Sequence, residues 1–114
     1  MEEKQSFLKQ KIDFESPNKN IVPITTSVGG DGKLSVGGCS IEELVKKYDS
    51  PLYILDEITL RNSCRAYKDS LEKYYPGKSL PIYASKANSS IFMSNLVSSE
   101  GLGSYLMDFL IKKC

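Results

Sequence analysis

The stretch "LPIYASKANSS", Leu80 to Ser90, decides how this chain is expected to fold and what it is expected to do. Leu80–Ala84 is apolar and β-favouring, as a short buried strand requires. Lys86 follows it, and Asn88 then supplies a good N-cap for a helix over 89–99. Alternation along a strand places Leu80, Ile82, Ala84 and Lys86 on one face, so the lysine continues an apolar row. It also stands at the carboxyl end of its strand, where α/β sheets and barrels gather their active sites. Ala84, Ala87 and the neighbouring serines leave room for a flat ligand. Two readings stay open on these residues alone. A lysine at a strand end can extend its amine to water. An amine held in an apolar pocket instead loses hydration, which lowers its pKa and makes it a nucleophile towards an aldehyde such as that of pyridoxal phosphate.

The flanks extend the pattern. Asp56 can cap a helix running from Glu57 to about Tyr75, in which Leu60, Cys64, Tyr67, Leu71 and Tyr74 form one apolar stripe. Cys64 therefore reads as a core residue and not as a reactive thiol. "YPG" (Tyr75–Gly77) breaks that helix, and Gly101 suits the end of the next one. Upstream, "LYIL" (Leu52–Leu55) reads as a short strand. "CSIEELVKKY" carries an S-x-x-E capping box, Ser40 and Glu43, opening a helix that closes at Tyr48 before "DSP". Ile21–Val28 and Lys33–Gly38 read as two strands joined by "GGDG" into a β-hairpin. That glycine run lacks the spacing of a phosphate-binding loop and leads into a strand, so it is a structural turn. "SYLMDFLIKKC" after Gly103 is compatible with helix, strand or tail.

Composition narrows the function. The chain has 114 residues, a net charge of +1 and 25% charged residues, with no basic footprint for nucleic acid or an anionic membrane. No stretch approaches the length of a membrane span, and the charged "MEEKQSFLKQKIDF" lacks the apolar core of a secretion signal, so a cytoplasmic protein is expected. Histidine is absent, which rules out histidine-dependent triads and histidine metal sites within this sequence. Cys39, Cys64 and Cys114 are widely spaced, without a C-x-x-C pair, and suggest neither a disulfide framework nor zinc. No metal is expected.

"YASKAN" (Tyr83–Asn88) resembles the YAxKAN motif of the alanine-racemase-like, fold-type III pyridoxal-phosphate enzymes. The leader "LSVGGCSIEELVKKYDSPLYILDEITLRNSCRAYKDSL" looks like that of the diaminopimelate decarboxylases: a GG before a short helix, a Y-x-x-PLY-x-x-DE-x-x-LR run, and an RAYK helix. "SEGLG" after the lysine motif is shared too, and the resemblance spans about Ile21 to Gly103. Ornithine and arginine decarboxylases and alanine racemases share the lysine strand but match the leader less well.

The resemblance implies an α/β fold: the N-terminal part of a pyridoxal-phosphate-binding TIM-type (β/α)8 barrel, preceded by a β-hairpin of the family's β-domain. The implied division is a polar segment over 1–20, hairpin, short helix and strand over 21–56, the start of the barrel over 57–103, and an aberrant or truncated tail over 104–114. It implies decarboxylation of meso-2,6-diaminopimelate to L-lysine and CO2, with Lys86 carrying the pyridoxal 5'-phosphate and Ala84 packing near its ring. It also implies a small amino-acid substrate and, for the full-length family, a homodimer. Two alternatives remain: a related decarboxylase of ornithine or arginine type, and a non-catalytic cofactor-carrying or regulatory protein. After Gly103 the family pattern breaks, with Tyr105 where an aspartate beside the cofactor is expected and no GGE following. The barrel is thus incomplete in this sequence, a frameshift, a premature stop or a mis-called gene is the expected cause, and the chain alone is expected to be inactive.

Overall fold

The computed structural model describes residues 20–105. The polar segment over 1–19 and the end of the tail over 106–114 lie outside the described residues. The chain divides into two compact units, one up to Thr59 and one from Leu60 onward.

The first unit holds a three-stranded antiparallel sheet of β1 (Ser27–Val28), β2 (Leu34–Val36) and β3 (Cys39–Ser40), in that order. The expected hairpin pairing is present but short. Ser27 faces Ser35 and Val28 faces Leu34, and the Gly29 N–H donates to the Lys33 carbonyl at 2.9 Å. Upstream of Ser27 the chain turns instead of extending. The Thr26 N–H donates to the Pro23 carbonyl at 3.0 Å, which removes Ile21–Thr26 from the expected strand.

A second hairpin was not foreseen. Val36 pairs with Cys39 across Gly37 and Gly38, whose φ angles are 59° and 80°. A two-residue turn with both central residues at positive φ matches the twist of the flanking strands, and glycine adopts it without a steric cost. The GG before the short helix is therefore a turn requirement.

Helix α1 (Ile41–Tyr48) begins and ends where the sequence predicts, with Ser40 at the N-cap. The capping box does not form, because the Ser40 side chain makes no cap hydrogen bond. Ser40 is also the last residue of β3 and is held by its pairing with Ser35. Leu52–Leu55 is not a strand. A strand exists through its hydrogen-bonded neighbour, and no described residue pairs with this segment. Tyr53 is left 97% exposed.

Asp56 caps helix α2 (Glu57–Tyr74) as expected, accepting from the Thr59 N–H at 3.1 Å. The Thr59 hydroxyl also donates to Asp56 Oδ2 and accepts from the Ile24 N–H at 2.9 Å. Buried Asp56 thus fixes a helix start and, through Thr59, the turn at Ile24.

The second unit, to which α2 belongs from Leu60, adds β4 (Ile82–Ala84), α3 (Ile91–Ser99) and β5 (Gly103–Tyr105). β4 and β5 pair in parallel, with Ile82 opposite Gly103, Tyr83 opposite Ser104 and Ala84 opposite Tyr105. A strand, a crossover helix and a parallel strand make one β/α unit of a mixed α/β fold. β4 starts two residues later than predicted, at Ile82. α3 starts at Ile91, and its cap is Ser90, whose Oγ accepts from the Met93 N–H at 3.3 Å. Asn88 instead lies two residues upstream of the cap, with Oδ1 accepting from the Ser90 N–H at 3.0 Å. Gly101 ends α3 as predicted. At φ 80° it donates to the Ser98 carbonyl while Leu102 donates to that of Val97, which satisfies the last carbonyls of the helix.

Cys64, Met93, Leu96 and Val97 form the core of this unit, with Leu60, Tyr83 and Leu102 packed against it. The α2 stripe is covered unevenly: Cys64 is buried and Leu60 and Leu71 are half-buried, whereas Tyr67 is 70% and Tyr74 is 74% exposed.

Candidate active site

Lys86 sits just past the carboxyl end of β4, in a turn that the Ala87 N–H closes by donating to the Ala84 carbonyl at 3.1 Å. Leu80, Ile82, Ala84 and Lys86 all lie on the exposed side, as the alternation predicts, while Tyr83 and Ser85 turn inward. The structure therefore brings Ala84 and Lys86 to one face at the end where parallel strands place their chemistry.

The expected pocket around the amine is not built. An apolar groove of about 530 Å³ lies between α2, β4 and α3, bordered by Leu60, Cys64, Leu71, Ile82, Ala84 and Met93. Ala84 and Ala87 line it, but Lys86 does not and is exposed. Removing water from an amine takes walls on several sides, and one strand with one helix supplies too few. Among the described residues no cluster of metal-ligating side chains occurs, and no helix is long and apolar enough to cross a membrane.

The remaining shared motifs converge on a different feature. Glu100 Oε1 lies 2.7 Å from Arg61 Nη1, and its Oε2 lies 2.7 Å from Arg65 Nε. The two hydrogen-bonded arginines, Arg65 first, hold the Glu100 carboxyl down to about 2 from its ordinary 4.5, and the same carboxylate raises Arg65. Lys68 lies beside the next residue, with Nζ 3.2 Å from where a side chain on Gly101 would begin. The LR, RAYK and SEGLG elements are thus a clamp between α2 and the end of α3. Arg61 and Arg65 lie off the apolar stripe of α2, and no local pattern announces the clamp, because the partner is 35 or more residues away. Cys64, beneath it, is pushed up first by burial and then by Glu100, as suits a core thiol.

The clamp predicts acid sensitivity. A carboxyl depressed in the folded state stabilises above its ordinary value of 4.5, and that contribution is lost as pH falls towards about 2. Glu100→Gln should therefore be less stable than the parent above about pH 4.5, and the two should converge near pH 2. Added salt should narrow the gap, since Arg65 is solvent-accessible. Urea unfolding across this range, followed by circular dichroism, measures it, and a pH-independent difference would contradict it.

Comparison with known proteins then places the sequence. No family model matches the chain. A diaminopimelate decarboxylase of Synechocystis sp. is 48% identical over 88 residues, 77% of this chain and 19% of the relative. The diaminopimelate decarboxylase of Bacillus methanolicus is 38% identical over 68% of the chain, and that of Methanothermobacter thermautotrophicus is 32% identical over 67%. Through this stretch the chain belongs to the diaminopimelate decarboxylase family. It spans about a fifth of the length of these curated relatives.

Proposed function

We propose that this sequence is part of a pyridoxal-phosphate-dependent decarboxylase that converts meso-2,6-diaminopimelate to L-lysine and CO2. The whole protein would be a soluble, cytoplasmic homodimer built on a (β/α)8 barrel, with no metal or nucleic acid. Residues 57–103 would open that barrel and residues 21–56 would belong with its β-domain. The observation that supports this best is the placement of Lys86, exposed on the Ala84 face at the carboxyl end of a parallel strand.

The residues present fit one end of the cofactor. A primary amine beside two alanines suits its aldehyde and ring edge, so Lys86 would hold the group through Nζ, with Ala84 against the ring. When bound, pyridoxal phosphate supplies an electron sink for the carbon that loses CO2. Lys86 Nζ would also be the chain's own group for carrying a proton. Groups that would grip a phosphate or face a pyridine nitrogen do not accompany Lys86 among the described residues. The 114-residue chain alone is accordingly expected to release no lysine or CO2 from diaminopimelate.

Borohydride reduction of the chain with pyridoxal phosphate, followed by peptide mapping, tests the assignment. The modification is expected at Lys86 in preference to other lysines. A uniform distribution over the surface lysines would refute it.

A further inference from the structure

We propose that Tyr83 is a positioning residue for Lys86, its phenol tethering the lysine-bearing turn to the hydrophobic core. The proposal rests on Lys86 being the cofactor lysine. Tyr83 points to the side of β4 opposite Ala84, and its ring packs against the cluster of Cys64, Met93, Leu96 and Val97. From there Oη donates to the backbone carbonyl of Asn88 at 3.2 Å. The four residues between donor and acceptor, Ala84 to Ala87, include the lysine.

Three further bonds stiffen this segment. Ala87 donates to Ala84 at 3.1 Å, Ser90 donates to Asn88 Oδ1 at 3.0 Å, and Met93 donates to Ser90 Oγ at 3.3 Å. Each of these joins near neighbours and would survive if the whole turn swung. The phenol is different, because it fastens the far end of the turn to a ring seated in the core. A lysine amine reaches its target through four flexible methylenes, so fixing its backbone decides how often it arrives in the right direction. Tyr83 and Asn88 thus act on Lys86 from either side without touching the reacting atoms.

Tyr83→Phe removes the hydroxyl and keeps the ring in the core. Amide hydrogen exchange at Ala87 should accelerate roughly three- to tenfold, the range that losing one hydrogen bond implies. Borohydride-fixed pyridoxal phosphate at Lys86, relative to Lys46 on exposed α1, should fall by a similar factor. Faster exchange with an unchanged Lys86-to-Lys46 ratio makes Tyr83 a structural residue only and overturns the proposal, as does no change in either. If the parent chain itself shows no preference for Lys86, the cofactor assignment has failed and there is nothing to position. A parent preference retained in Tyr83→Phe sinks the positioning role alone. Should Tyr83→Phe lose its helical circular dichroism, an ester in place of the Asn88–Ser89 peptide bond weakens the same carbonyl acceptor, leaves Tyr83 in the core, and should lower the same ratio; an unchanged ratio overturns the proposal.

Discussion

Lys86→Ala is expected to abolish the selective capture of pyridoxal phosphate, reducing borohydride-fixed label on the peptide spanning 80–90 by roughly tenfold or more, because the nucleophilic amine is gone. The surface lysines provide the background. Lys46, Lys47 and Lys78 are exposed amines of the same chemistry, so any advantage of Lys86 must come from its place in the fold. That place is a turn at the carboxyl end of β4, beside Ala84 and at the mouth of the parallel pair with β5. Equal labelling of the parent and Lys86→Ala chains would remove the lysine from the reaction. Far-UV circular dichroism should not change, since the exposed side chain supports no core contact.

Leu96→Ala should have the largest effect on stability. Leu96 is 2% exposed, next to fully buried Val97, in a core that among the described residues has four buried members and three partly buried neighbours. Truncating a buried leucine costs about 2–5 kcal/mol, from lost transfer energy and from the cavity left behind. Folded domains hold roughly 0.05–0.15 kcal/mol per residue, which gives a unit of this size only a few kcal/mol in total. The substitution should therefore leave the second unit largely unfolded at room temperature. Urea titration followed by far-UV circular dichroism and tyrosine emission measures it, the chain having no tryptophan. A loss below about 1 kcal/mol would show that the cluster is not the core of this unit.

Local chemistry was legible wherever a residue's partner lies a few positions away. Asp56 as a cap, Tyr48 as a helix end, Gly101 as a stop and Cys64 as a buried residue all follow from short-range spacing. Where two adjacent residues compete for one role, local reasoning chose wrongly. Asn88 and Ser90 are both good caps, and the side chain that meets a free helical N–H is that of Ser90. Leu52–Leu55 has the composition of a strand but no described partner strand, so composition could not make it one.

By itself the sequence determined the family stretch, the lysine at a strand end and the face it shares with Ala84. These depend on residue identity and on a period of two. Only the tertiary structure decided that Arg61, Arg65 and Glu100 form one clamp, that GG is a turn between strands, and that Tyr83 reaches over the lysine turn. It also decided that Lys86 stands in solvent beside an open groove and not within a closed pocket. The physical reason is the same in each case. Ion pairs and the walls of a pocket are made by groups far apart in the chain, and their meeting is set by packing, which no local pattern records.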